Sequence, residues 1–127
     1  MKGYGSGMKV RAFRGATQLT VDDAVEMESA VCELLEEIFS ANQISHDDLI
    51  SILFTVTPDL HSEFPAKTAR SLNLGDVPLI CALEIDVPGA LPRVIRVMVH
   101  AYSDREKSEI RHIYRRGAEV LRRDIAQ

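Results

Sequence analysis

The chain has 127 residues, 46% of them hydrophobic and 27% charged, with a net charge of −4. That length holds one domain with a real core and leaves no room for two. The negative balance argues against a nucleic-acid surface, and no apolar run reaches the length of a membrane span.

Residues 1–7 are glycine-rich and unpatterned, and read as a flexible extension or cloning remnant ahead of one domain over 8–127. Residues 8–14 then alternate, which predicts a first strand stopping at Gly15. Met8, Val10 and Ala12 form its apolar face, and Arg14 falls on the same face by parity. Thr20 suits an N-cap, with Asp22 and Asp23 at the positive end of the helix that follows. Met27, Val31, Leu34, Leu35 and Ile38 recur at helical spacing, predicting an amphipathic helix that ends near Asn42. A turn of helix at 45–48 leads into a second strand over 49–56. Beyond a Thr57-Pro58-Asp59 turn, Phe64-Pro65 opens a short helix over 65–72 that carries Lys67 and Arg70. A third strand is predicted at 77–87 and a fourth at 93–102. A polar loop or brief turn at 103–109, a fifth strand at 110–114 and a last helical turn at 117–122 complete the chain.

The predicted order is β-α-β-α-β-β-β: an α+β fold in which one long helix packs on a mixed five-stranded sheet. A single helix covers one face only. The third and fourth strands look apolar on both faces, so association of subunits is the simplest cover for the second.

The cations are unevenly placed. Acid dominates 22–37, while Arg and Lys gather at 67–70, 93–96 and 105–123; in a chain acidic overall, basic residues inside apolar strands suggest a local anion site. Arg96 is the sharpest anomaly, because it sits within Val94-Ile95-Arg96-Val97-Met98-Val99. Arginine cannot shed its proton, so it needs an anionic partner or open water. Glu84, in Leu83-Glu84-Ile85, is the acidic counterpart. Either the two form a structural ion pair, or both line a cleft for a polar anion. Arg14 favours the cleft, since one acid does not neutralise two inward arginines. Tyr114 alone suits core or rim, and beside arginines it suits donation to a carboxylate. By default Phe64 is a packing anchor, Lys67 and Arg70 are solvated charges, and Arg122 is a surface cation unless the tail folds over something. His61 follows Asp59, but no nucleophile motif accompanies it, so no catalytic dyad is expected. His46, His100 and His112 show no partners in sequence. Cys32 and Cys81 read as buried, reduced thiols of a cytoplasmic protein, and no Cys/His spacing matches a metal site. The inventory suits a reaction that needs orientation and electrostatics without cofactor, metal or covalent chemistry.

Arg11-Ala12-Phe13-Arg14-Gly15-Ala16-Thr17, Thr57-Pro58-Asp59-Leu60-His61 and Phe64-Pro65-Ala66-Lys67 with Arg70 resemble the monofunctional AroH-class chorismate mutases. Cys81 to Val87, Ile95-Arg96-Val97-Met98 and Arg111-His112-Ile113-Tyr114 continue the match in order, over residues 8–123. The resemblance implies a Claisen rearrangement of chorismate to prephenate on the route to phenylalanine and tyrosine. It also implies a cytoplasmic, cofactor-free homotrimer with a pseudo-α/β-barrel core and active sites between subunits. By position, Arg96 should meet the ether oxygen, Arg14 and Tyr114 the side-chain carboxylate, and Glu84 with the Cys81 amide the ring hydroxyl. Phe64, Ala66, Lys67 and Arg70 should approach from a neighbouring subunit, and Ile80 and Ile85 should line the site. Leu121 and Arg122 should belong to a mobile tail, from about 117, that closes it. The family often ends in Leu-Arg-Pro-Asp-Leu, where this chain has Leu121-Arg122-Arg123-Asp124-Ile125. The competing reading is a trimeric carboxylate-binding module or enamine/imine deaminase of the YjgF type.

Overall fold

A computed structural model describes residues 7–122. Strand β1 (Lys9–Gln18) leads into helix α1 (Ala24–Ala41), strand β2 (Leu49–Val56) and short helix α2 (Pro65–Ala69), then strands β3 (Leu79–Leu83), β4 (Val94–Ser103) and β5 (Ile113–Arg115). The fold is α+β, with one mixed sheet in the order β3-β2-β4-β1-β5. Central β4 runs antiparallel to β1 and β2, and β3 and β5 add in parallel at the edges. The element order follows the periodicity of the sequence, while several boundaries move for physical reasons.

β1 passes through Gly15 and stays paired with β4 as far as Gln18↔Val94. A Cβ at Gly15 would stand 2.8 Å from Ile38 Cδ1 and 3.1 Å from Leu34 Cδ1, so this glycine marks where α1 presses on the strand. The buried parity of β1 is also the reverse of the predicted one. Phe13 and Thr17 are buried, whereas Val10 is 53% exposed. Arg14 does share a face with Val10 and Ala12, but it is the face that α1 leaves open.

α1 is capped by Asp23, whose carboxylate accepts the Glu26 N–H at 2.8 Å. Thr20 bonds the Glu26 side chain instead of capping the helix. β3 covers only part of the apolar run at 77–87. Glu84 still donates its N–H to the Val56 carbonyl at 2.9 Å, and then the chain turns, with Val87 N–H bonding Ile85. β5 is shorter than predicted because Asn42, at the C-cap of α1, grips Arg111 through both its N–H and its C=O.

The core lies between α1 and one sheet face. Met27, Val31, Leu34, Leu35 and Ile38 pack on Phe13, Ile52, Phe54, Ile95, Val97 and Val99. Each such side chain contributes about 1.5–3 kcal/mol by leaving water. A smaller cluster on the opposite face joins Ala16, Val94, Tyr114 and Ala118, with Leu91 and Leu121 against it.

Part of the basic C-terminal stretch is structural. Arg115 pairs with Glu37, and Arg116 with Glu33 at 3.1 Å, tying the end of β5 to the acidic side of α1. Arg93 Nε donates to the Leu19 carbonyl at 2.9 Å. Cys32 and Cys81 are free and half-buried, not fully buried. Among the described residues no helix is long and apolar enough to cross a membrane. Most of the proposed extension at 1–7, and the tail beyond Arg122, lie outside the described residues.

Candidate active site

On the open sheet face, alternate side chains of β1, β4 and β2 stand side by side, as a strand period of two requires. The register sets Arg14 and Leu53 on either side of Met98, and Ala16 and Thr55 on either side of Arg96. Glu84, just beyond β3, completes the wall. These residues enclose a cavity of about 190 Å³, with Leu53 and Met98 as its apolar floor and Arg14, Thr55, Glu84 and Arg96 as its polar rim.

The rim explains how an arginine survives in so apolar a strand. Its side chain is 43% exposed and opens into the cavity, with Nε 3.6 Å from Glu84 Oε2. That is an ionic contact, longer than a hydrogen bond. The carboxylate takes its hydrogen bond from the Thr55 hydroxyl. The ion pair and the cleft are therefore one arrangement: Arg96 and Glu84 are in contact, and both face open space.

Arg14 is placed through its backbone, which donates N–H to His112 Nδ1 at 3.0 Å. With Nδ1 accepting, a neutral ring carries its proton on Nε2. Burial lowers the His112 pKa first, and the charges of Arg14 and then Arg122 lower it further. Arg14 and Arg122 thus both lie near enough to His112 for their charges to act on it.

Of the residues singled out in the sequence, Arg14, Glu84 and Arg96 come together around one cavity. Ile80 shares their face beside Leu53 but is 64% exposed. Tyr114 is 2% exposed, packed in the small cluster with Ala118 and Leu121, and does not line the cavity. The Cys81 side chain turns to the core. Phe64 and α2, with Ala66, Lys67 and the following Arg70, lie on the α1 side of the sheet, away from the cavity of their own chain. Lys67 pairs with Glu63 at 3.1 Å. Ile85 is exposed in the loop after β3.

The Thr57-Pro58-Asp59 turn is a latch on β4. Both Asp59 carboxylate oxygens accept the Arg93 N–H, at 3.1 and 3.0 Å. The Thr57 hydroxyl accepts the Val94 N–H at 3.0 Å and donates to Asp59 at 2.6 Å. These bonds hold Arg93 at φ +54°, an uncommon value for a non-glycine residue, at the root of the strand that carries Arg96. His61 turns to Asp22, 3.2 Å away, and forms no dyad with Asp59. A larger cavity of about 430 Å³ lies between this turn and the 85–92 loop. Its lining contains no cation, so it offers no counter-charge to an anion.

Sequence reasoning missed Thr55, Leu53, Met98 and His112. Thr55 becomes visible once β2 is paired with β4, because parity then places it beside Arg96. His112 carries no local signal, since its partner depends on the parallel β1–β5 contact.

The model of the family "Chorismate mutase type I" matches residues 10–125. The chain is 44% identical to a chorismate mutase AroH of Thermus thermophilus over 117 residues, covering 91% of this chain and 96% of that one. It is 39% identical to a chorismate mutase AroH of Bacillus subtilis over 120 residues, covering 94% of each. A solved chorismate mutase from Clostridium thermocellum superposes with a TM-score of 0.85 at 45% identity, over 87% of this chain and 99% of that one.

Proposed function

The chain belongs to the type I chorismate mutase family, and from that premise we propose how its residues turn chorismate into prephenate. It is an isomerase of aromatic amino acid biosynthesis; the matches give no support to a YjgF-type alternative.

One observation carries the assignment of roles: two guanidinium groups and one carboxylate surround a single cavity with an apolar floor. Chorismate carries an ether oxygen, a side-chain carboxylate and a ring hydroxyl, and the two guanidinium groups and the carboxylate offer one partner to each. Arg96 meets the ether oxygen. As the C–O bond breaks ahead of C–C formation, negative charge gathers on that oxygen, and a fixed guanidinium binds the transition state more tightly than the substrate. Arg14 binds the side-chain carboxylate, and Glu84 with the Cys81 amide accepts and donates at the ring hydroxyl. Clamping both ends of a flexible molecule in its reactive diaxial form lowers the entropic part of the barrier. No cofactor or metal is needed.

Tyr114 enters the site only if the turn formed by Ala118–Leu121 shifts, which fits a role for Leu121 and Arg122 in closing it. Phe64, Ala66, Lys67 and Arg70 act on the cavity of a neighbouring subunit. The exposed Val10, Leu53 and Ile80 on the open face support a homotrimer closed into a pseudo-α/β barrel around that face. The two free thiols fit a cytoplasmic compartment.

The test is to separate the protein by size and follow the loss of chorismate ultraviolet absorbance in each fraction. Activity is expected in the trimer. An inactive trimer overturns the assigned roles, and an active monomer overturns the shared site.

A further inference from the structure

We propose that Thr55 is a positioning residue of the reaction: its hydroxyl fixes one oxygen of Glu84, so that the other faces the substrate.

Glu84 lies past the last residue of β3, where its backbone has one remaining ladder bond, to Val56. From such a position a glutamate side chain, with its several free torsions, does not aim itself. The Thr55 hydroxyl comes from β2, an interior strand of the sheet, and is paired across the ladder with Arg96 on one side and Ala82 on the other. It donates to Glu84 Oε2, because an ionised carboxylate only accepts. The same oxygen is the one 3.6 Å from Arg96 Nε. Oε2 is thus held from two directions, and Oε1 is left as the acceptor towards the cavity. Thr55 itself lines that cavity, and its neighbour Ala82 is too small to replace the contact.

The geometry also guards against a competing arrangement. A glutamate free to swing could form a close, bidentate pair with Arg96 and tie up the guanidinium that the ether oxygen needs. Donation from Thr55 holds the carboxylate back at ionic distance, so both rim groups stay available.

The inference rests on the roles proposed for Glu84 and Arg96, and one set of variants separates the two. Thr55→Val removes the donor while keeping shape and β-branching. Thr55→Ala removes it with less bulk, and Thr55→Ser keeps it. A hydrogen bond to a charged group is worth enough for Thr55→Val and Thr55→Ala each to lose roughly tenfold in kcat/KM, mainly as a higher KM. Thr55→Ser should recover most of that loss. In a Glu84→Gln background, Thr55→Val should add almost nothing, because the group it positions is already gone. Equal losses in Thr55→Ser and Thr55→Val would overturn the inference, as would losses that multiply with Glu84→Gln or unchanged kinetics in Thr55→Val. Should Glu84→Gln itself prove fully active, the assigned site falls and not merely the role of Thr55.

Discussion

The two faces of β4 use the same ten residues for opposite purposes. Ile95, Val97, Val99 and Ala101 are buried in the core, while Arg96, Met98, His100 and Tyr102, one step out of phase, are half-buried on the other side. The covered face can specify packing because water is gone from it. The open face can keep a permanently charged arginine because water and the Glu84 carboxylate can reach it. Stability and chemistry are thus divided by parity within one strand, and each can be damaged separately.

The largest separation should come from the covered face. Phe54, fully buried on β2, is expected to cost about 3–5 kcal/mol of unfolding free energy when changed to Ala, measured by urea denaturation. The fraction still folded should turn over chorismate nearly normally; a large fall in its kcat would show that the faces are coupled. Arg96→Lys tests the open face. Lysine keeps the charge but lacks the planar fork, so turnover should fall roughly a hundredfold or more while the urea midpoint stays close to the parent value. Near-normal kcat would remove Arg96 from the transition state.

The smallest effect concerns His112, at the edge between the two faces. Burial and the adjacent arginines lower its pKa from 6.5, so between that lowered value and 6.5 the unfolded chain binds more protons than the folded one. Stability from this group is therefore fully present above 6.5 and is lost as pH falls through the lowered value. Urea unfolding should show the parent weakening as pH falls below 6.5, and His112→Gln should be flatter there. An identical slope in the two proteins would show that His112 does not set it. Protonation would also deprive the Arg14 N–H of its acceptor, so chorismate affinity should decline over the same interval in the parent.

The fold was legible wherever one period dominated. α1 announced itself through five apolar positions at helical spacing, and β4 through its run of valine and isoleucine. β1 misled because Gly15 looks like a stop until α1 is packed against it, and because Val10 and Ala12 are apolar yet uncovered. In the site, Arg14, Glu84 and Arg96 stood out as charges inside apolar runs. Thr55 and Met98 did not, since a threonine and a methionine in strands are unremarkable until the register is known. The structural role of Arg115 and Arg116 was not legible, because sequence cannot show that Glu33 and Glu37 lie next to them.

The latch at Thr57 and Asp59 bears on how this protein can change length. It fastens Arg93 and Val94, and everything up to Arg96 is counted from there. The 85–92 loop, just upstream, is largely exposed and could gain or lose residues without altering that count. A single insertion between Arg93 and Arg96 would rotate the rest of the strand by one step, drive the guanidinium towards α1 and bring valines into the cavity. Tolerance to insertion should therefore change abruptly at Arg93, and the boundary is drawn by a carboxylate more than thirty residues earlier in the chain.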